Sequence, residues 1–143
     1  MENNSIASII ERRFHEQAGK DGSVSIPLKK GNGRINVKLS KDGVMVSNLA
    51  RQPFLPWSVF EETVSLLKKC GGKAMKGDAM NGRLGDSKLP IDSIEGYIAY
   101  KIYEKKLGDS VFRRITPISC ILEWAGVCDN ERGELIIKVN SKT

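Results

Sequence analysis

The chain has 143 residues, 40% of them hydrophobic and 28% charged, which is the balance of an ordinary globular domain and excludes an intrinsically disordered chain. No stretch approaches the roughly 20 apolar residues that a membrane span requires, and the N-terminus lacks the basic start and apolar core of a signal peptide, so we expect a cytoplasmic protein with no membrane association. A formal net charge of +6 favours a polyanionic partner, because summed positive potential attracts nucleic acid or anionic lipid.

The first part of the chain is predicted to be a helix followed by an antiparallel sheet. Residues 5–17 place apolar side chains at helical spacing. After the turn-forming cluster at 19–22 the apolar period changes from helical to alternating, which is typical of strands. The three alternating runs lie at residues 24–28, 35–39 and 44–46. A basic hairpin tip at 29–33 and a tight turn at Asp42-Gly43 connect them, so the pattern predicts a three-stranded meander.

The segment 50–56 carries two prolines, which remove hydrogen-bond donors and restrict the residues before them. We therefore predict an irregular connector there. Ser58 and Glu61 have the spacing of a capping box, and the helix that they start should cover the meander before it ends at Gly71-Gly72. Residues 73–90 combine glycines and cations with little apolar periodicity, which predicts a long loop of the kind that is usually functional or mobile.

The last third of the chain is predicted to form two helices and a hairpin. Asp92 and Glu95 have cap spacing and start the first helix. Thr116-Pro117 gives an N-cap followed by proline at the first helical position of a short final helix. The hairpin is predicted from strands at 127–128 and 134–139 around the turn 129–133, with a tail at 140–143.

These elements predict a single α+β domain over residues 1–143. Its expected order is an N-terminal helix, a three-stranded antiparallel meander packed by a helix, two further helices and a C-terminal β-hairpin. A soft boundary in the 73–90 loop would separate an αβββα half (1–72) from an ααββ half (91–143). The three cysteines are odd in number and widely spaced, which indicates reduced thiols and not a disulfide framework or a metal knuckle.

The strongest functional signal is a cluster of positive charge between residues 68 and 88. Its members are Lys68, Lys69, Lys73, Lys76, Arg83 and Lys88, opposed in that interval only by Asp78 and Asp86. Glycines among them would let backbone N–H groups approach phosphates. The alternative interpretation is a solvated surface loop without a ligand. Because the spacing of a P-loop is absent, the segment does not support nucleotide binding of that kind.

A second basic feature is Arg113-Arg114, directly before the predicted final helix, whose N-terminus already favours anions. That helix is followed at once by a hairpin carrying Arg132 and Lys138. Over residues 92–139 this order resembles the recognition helix and wing of winged-helix DNA-binding proteins, and the segment 108–115 would have to serve as the middle helix. The resemblance implies nucleic-acid contact near the final helix and the hairpin.

No arrangement of residues typical of an enzyme is found. The single histidine, His15, lies on the first amphipathic helix without a cysteine or serine partner identifiable by spacing. Glu134 and Lys138 lack the E-x-K spacing of nucleases, and no zinc-ligand spacing occurs. We therefore expect no catalytic residue, no cofactor and no metal ion. An enzyme with scattered carboxylates would need a deep pocket holding paired acids.

Two hypotheses about function follow from the sequence. The first is a non-enzymatic nucleic-acid-binding or accessory module that contacts phosphates through the basic loop, Arg113-Arg114 and Arg132. The alternative is a protein–protein interaction subunit or homodimer that uses an exposed sheet edge or the side chains of Phe54, Leu55 and Trp57. Such residues also commonly seal a sheet edge against the following helix. The first hypothesis requires the separate basic clusters to converge on one surface.

Overall fold

The computed structural model describes residues 5–29, 31–49 and 51–138. The helices in these ranges are α1 (Ile6–Gln17), α2 (Trp57–Lys69), α3 (Ile94–Lys101) and α4 (Ile115–Trp124). The strands are β1 (Ser23–Pro27), β2 (Arg34–Ser40), β3 (Gly43–Val46), β4 (Phe54–Pro56), β5 (Lys73–Met75), β6 (Cys128–Glu131) and β7 (Glu134–Ile137). Residues 1–4, Lys30 in the hairpin tip, Ala50 in the connector, Val139 and the predicted tail 140–143 lie outside the described residues. The predicted α+β class and order of elements are confirmed.

The predicted meander forms the greater part of a four-stranded antiparallel sheet in the order β1-β2-β3-β4. Alternation of apolar residues sets its register: Val24 pairs with Val37 and Ile26 with Ile35, and all four side chains are buried. The turn between β2 and β3 lies one residue before the predicted Asp42-Gly43, because Ser40 pairs with Gly43 and leaves Lys41 and Asp42 as the turn residues. Asp42 alone adopts a left-handed conformation, with φ of 66°, and the next residue already belongs to β3.

The predicted irregular connector contains β4, so that part of the prediction is wrong. Gly43 of β3 opposes Pro56 of β4, and a side chain on Gly43 would lie 2.2 Å from the Leu55 carbonyl oxygen. Pro56 is tolerated in β4 because it is an edge strand, where a missing N–H breaks no ladder hydrogen bond. Glycine at position 43 thus allows the edge strand to approach closely.

The start of the predicted long loop is also a strand. β5 joins a second antiparallel sheet in the order β5-β7-β6, and Ala74 of β5 opposes Leu135 of β7 with both side chains buried. The loop therefore runs from residue 76 to residue 93. A small hydrophobic cluster of Leu84, Leu89, Ala99 and Val111 anchors the loop to α3 and to the segment before α4.

Helix boundaries differ from the prediction at three N-termini. α2 begins after Pro56 without a side-chain cap, and α3 is capped by Ser93, whose hydroxyl accepts from the Gly96 N–H at 3.1 Å. α4 begins at Ile115, one residue before the predicted N-cap. The segment before Ile115 is irregular, so residues 108–115 do not provide the middle helix that the winged-helix resemblance requires, and α3 directly precedes α4.

A continuous hydrophobic core connects the two sheets. It contains side chains from all four helices and both sheets, among them Phe14, Ile35, Phe60, Ile98, Ile118 and Leu135. β1 and α2 both pack on α4, and seven of the ten α4 residues are buried. Cys70, Cys120 and Cys128 are free thiols. In the described part of the chain, no helix is long and apolar enough to cross a membrane.

Candidate functional site

A cleft of about 600 Å³ lies along one side of α4. Its walls come from the end of the β1–β2 hairpin, the first two turns of α4, the start of the 76–93 loop and the turn between β6 and β7. Four cations line it, Lys29, Lys76, Arg113 and Arg132, together with the carboxylate of Asp78. A cleft of this volume is the size of an ordinary ligand site.

The second sheet brings two of the cations together. β5 pairs with β7, so the chain leaves β5 beside the β6–β7 turn, where the Lys76 backbone N–H donates to the Gly133 carbonyl at 2.8 Å. The Lys76 ammonium donates to the side-chain oxygen of Asn130 on β6. Arg132 occupies the β6–β7 turn. Residues separated by more than fifty positions in sequence therefore meet at one wall of the cleft.

The other wall comes from the first sheet and the segment before α4. Lys29 follows β1, which packs on α4, and it lines the cleft together with Cys120 of that helix. Arg113 is exposed immediately before α4. The position of Lys29 in the cleft depends on the contact between the β1–β2 hairpin and α4, which the local sequence does not predict.

The cleft has an excess of positive charge. Burial lowers the pKa of Lys76, and the neighbouring charges of Lys29 and Arg113 lower it further, while Cys120 and Glu123 oppose the change. Among the described residues the ion pairs are Arg13 with Glu16 and Lys138 with Asp129. None of the four cleft cations has a carboxylate partner in that part of the chain.

Asp78 does not balance this charge. Its carboxylate accepts from the side-chain and backbone N–H groups of Asn81 at 2.9 and 3.3 Å, and these hydrogen bonds lower its pKa. The carboxylate therefore fastens the turn at the start of the 76–93 loop. The four cations that line the cleft outnumber its one carboxylate by three, so an anion that enters the cleft meets a net positive charge.

Ser119 is an unpaired donor in the wall of the cleft. Its side chain is 1% exposed, and its hydroxyl has no hydrogen-bond partner among the described residues. It shares one face of α4 with Thr116 and Cys120, which also line the cleft. A buried hydroxyl without a partner costs about 1–3 kcal/mol, so its presence requires an explanation.

A second, shallower groove of about 410 Å³ adjoins the cleft. It is lined by the loop after β3, including Asn48 and Arg51, and by Phe112 and Pro117 at the start of α4. The two depressions share Arg113 and Thr116. Positive side chains thus continue beyond the cleft in the direction of Arg51.

Arg114 lies outside the cleft, unlike its neighbour Arg113. Its side chain is 3% exposed, its guanidinium stacks 3.6 Å from the centre of the Tyr103 ring, and it donates to the side chain of Gln52. This inward position ties the segment before α4 to the rest of the fold. We therefore exclude Arg114 from the candidate site.

Glu95 occupies the α4 N-terminus that the sequence assigns to phosphate. Its carboxylate, 1% exposed on α3, accepts from the Arg114 N–H at 3.0 Å and the Ile115 N–H at 2.9 Å. Burial raises the pKa of Glu95 to about 7, although these hydrogen bonds oppose the change. The first two helical donors are therefore satisfied inside the protein, and the cleft flanks the helix instead of continuing its axis.

The predicted basic residues divide into two groups. Lys76, Arg113 and Arg132 line the cleft, and the residues that do not are Lys68, Lys69, Lys73, Arg83, Lys88 and Arg114. Lys69 donates to the Tyr97 hydroxyl at 3.3 Å, and Arg83 donates to the Gly108 carbonyl at 3.4 Å. Sequence reasoning missed Lys29, Ser119 and Asn130 as site residues. The basic hairpin tip was the only sequence signal for Lys29.

The residues of the predicted protein interface differ in accessibility. Leu55 is fully buried, and Trp57 is half-buried with its ring 6.2 Å from that of Phe60. Phe54 is 38% exposed and opposes Met45, which is 39% exposed, across β3 and β4. Leu55 therefore belongs to the core, whereas Phe54 and Trp57 keep part of their surface exposed.

Comparison of the chain with protein-family models, with curated proteins and with solved structures finds no match. Within residues 5–29, 31–49 and 51–138, no group of three or more histidine, cysteine, aspartate or glutamate side chains is arranged to hold a metal ion. The cleft is therefore the feature of the molecule on which a functional proposal can rest.

Proposed function

We propose that the protein is a non-enzymatic nucleic-acid-binding module that holds a sugar-phosphate backbone in the cleft beside α4. The observation that carries the proposal is the convergence of Lys29, Lys76, Arg113 and Arg132 on one concave surface without carboxylate partners in the described residues. Positive charge focused in a cleft attracts anions strongly, and phosphate contacts provide most of the affinity of such proteins.

The adjoining groove supports an extended ligand. Because the cleft and the groove share Arg113 and Thr116, cationic side chains follow one another from Arg51 into the cleft. A nucleic-acid strand offers a negative charge at each nucleotide and would meet these side chains in turn. A single small anion bound in the cleft would not contact Arg51 in the adjoining groove.

Helix α4 is not proposed to read bases. In the winged-helix proteins that the helix and hairpin resemble, a recognition helix contacts the major groove. Here seven of ten α4 residues are buried, and those that reach the surface are Thr116, Glu123 and Trp124. Contacts from the cleft rim would go to phosphates, which position a strand without specifying its sequence.

The test measures the salt dependence of oligonucleotide binding by fluorescence anisotropy. Four phosphate contacts on a single strand predict a slope of log K against log salt of about −3. The double variant Lys29→Gln/Arg113→Gln should bind more weakly and reduce the magnitude of this slope by about 1.4.

The matched control is Lys68→Gln/Lys73→Gln, which removes the same charge outside the cleft. It should retain most of the affinity and slope of the unmodified protein. An equal loss of affinity in both double variants would show that binding depends on net charge and not on the cleft, which would contradict the proposal. Undetectable binding at low salt would overturn the proposal as a whole.

A further inference from the structure

The unpaired hydroxyl of Ser119 points to a ligand group in the cleft. A buried helical serine or threonine can satisfy its hydroxyl by donating to the carbonyl four residues earlier. Thr63 on α2 does so, with its hydroxyl 2.7 Å from the Val59 carbonyl. Ser119 is equally buried on α4 and makes no such bond. Its hydroxyl thus lacks an acceptor among the described residues, at a position that lines the cleft.

Lys76 lines the same cleft and makes it suitable for a group with more than one negative charge. Lys76 is half-buried, its ammonium bonds to the side chain of Asn130, and the charges of Lys29 and Arg113 repel it. Keeping a positive charge in such a place is unfavourable until a negative partner arrives. A doubly charged anion would offset the repulsion between these cations better than a singly charged one.

These requirements distinguish two kinds of phosphate. A phosphate monoester carries about −1.5 to −2 charges at neutral pH and three strong acceptor oxygens. A phosphodiester within a strand carries a single charge, and both of its ends must leave the site as continuing chain. A group that reaches Ser119, whose side chain is 1% exposed, has to enter end-on. The end of a strand fits this geometry.

We infer that the wall of the cleft at Ser119 and Lys76 is a subsite for the terminal phosphate of a nucleic-acid strand. The inference rests on the proposed function, because the rest of the strand would occupy the cationic cleft and the adjoining groove. In the bound state the phosphate accepts from the Ser119 hydroxyl and the Lys76 ammonium. Arg113 and Arg132 hold the following nucleotides.

The test compares three single-stranded oligonucleotides of one sequence, with a 5′-phosphate, a 3′-phosphate or hydroxyl groups at both ends, each labelled internally. We expect one phosphorylated strand to bind at least about tenfold more tightly than the unphosphorylated one, because even one of the two added hydrogen bonds to a charged group would give this ratio. Ser119→Ala and, separately, Lys76→Gln should each reduce this ratio severalfold. Ser87→Ala, in the exposed part of the 76–93 loop, should leave it unchanged.

Stability measurements separate binding from folding. Since the Ser119 hydroxyl has no partner among the described residues, Ser119→Ala should unfold at the same temperature as the unmodified protein or slightly higher. A Ser119→Ala variant that loses stability would show that the hydroxyl serves the fold, and this would overturn the inference.

The outcomes distinguish this inference from the proposed function. Salt-dependent binding with equal affinities for all three strands would overturn the terminal subsite and leave the proposed function standing. Failure of every strand to bind would overturn both. Competition by inorganic phosphate, at an ionic strength where chloride does not compete, would support a site that recognises the phosphate group itself.

Discussion

Glu95 links α3 to the start of α4, and its replacement tests the packing on which the cleft depends. Its carboxylate accepts from the Arg114 N–H at 3.0 Å and the Ile115 N–H at 2.9 Å. Glu95→Ala would leave both buried N–H groups without an acceptor, at about 1–3 kcal/mol each. We therefore expect it to lower the free energy of unfolding by about 2–5 kcal/mol. Glu95→Gln retains an acceptor oxygen and should cost less.

The raised pKa of Glu95 leads us to expect that the free energy of unfolding depends on pH. Burial raises the pKa of Glu95 from its ordinary value of 4.5 to about 7, so the folded state holds the proton more tightly than the unfolded chain. The stability that this provides is fully present below about pH 4.5 and is lost as the pH rises through about 7. At about 1.4 kcal/mol for each unit of pKa, the whole change is about 3 kcal/mol.

The assay is urea unfolding followed by tryptophan fluorescence between about pH 5 and about pH 8. Because the amide of Glu95→Gln does not titrate, the unfolding free energy of the unmodified protein minus that of the variant should fall by about 2–3 kcal/mol over this range. Glu11→Gln, exposed on α1, controls for the loss of a surface carboxyl. A difference that stays constant or grows with pH would refute the reasoning, because it would show that the ionised carboxylate is the stabilised form.

Two further variants test how the elements around the cleft are held. Leu89→Ala removes a fully buried side chain that anchors the 76–93 loop. It should lower the free energy of unfolding in urea by about 2–4 kcal/mol and make amide exchange in the loop faster. Leu107→Ala, at a residue that is 70% exposed, should change this free energy by less than about 0.5 kcal/mol. Gly43→Ala would place a methyl group 2.2 Å from the Leu55 carbonyl oxygen and should lower the melting temperature by about 10 °C or more. Gly19→Ala, whose nearest neighbouring atom would be 3.7 Å away, should have little effect on the melting temperature.

The elements that the sequence predicts well are those whose pattern is local. The apolar alternation of β1 to β3 determines which side of each strand faces the core, and Ser5 caps α1 where the helical periodicity begins. β4 and β5 have three residues each, too few for a periodic signal. β5 exists because β7, sixty residues later, provides its partner. Such a strand becomes visible only when the distant pairing is known.

The candidate site was predictable to the extent that cations are visible in a sequence. Lys76, Arg113 and Arg132 are among the predicted residues, but Lys76 meets Arg132 only through the pairing of β5 with β7, and Arg113 reaches the cleft from the segment before α4. For Glu95, the sequence pattern suggests the wrong helix. Its spacing from Asp92 suggests a cap for its own helix, whereas its carboxylate caps α4. A side chain that serves a different helix leaves no periodic signal in its own.

The burial of α4 explains why the cationic cleft, and not the helix, is the surface to test. A recognition helix must expose a full face to enter a groove, but β1 and α2 pack on α4 and bury seven of its ten residues. The contact of β1 with α4 also brings the end of the β1–β2 hairpin to the cleft and adds Lys29 to the cations supplied by the second sheet. The contact between β1 and α4 therefore both buries the helix and forms part of the cleft. A nucleic acid that took α4 into its groove would have to displace the first sheet. A ligand held by its phosphates in the cleft would need no such rearrangement.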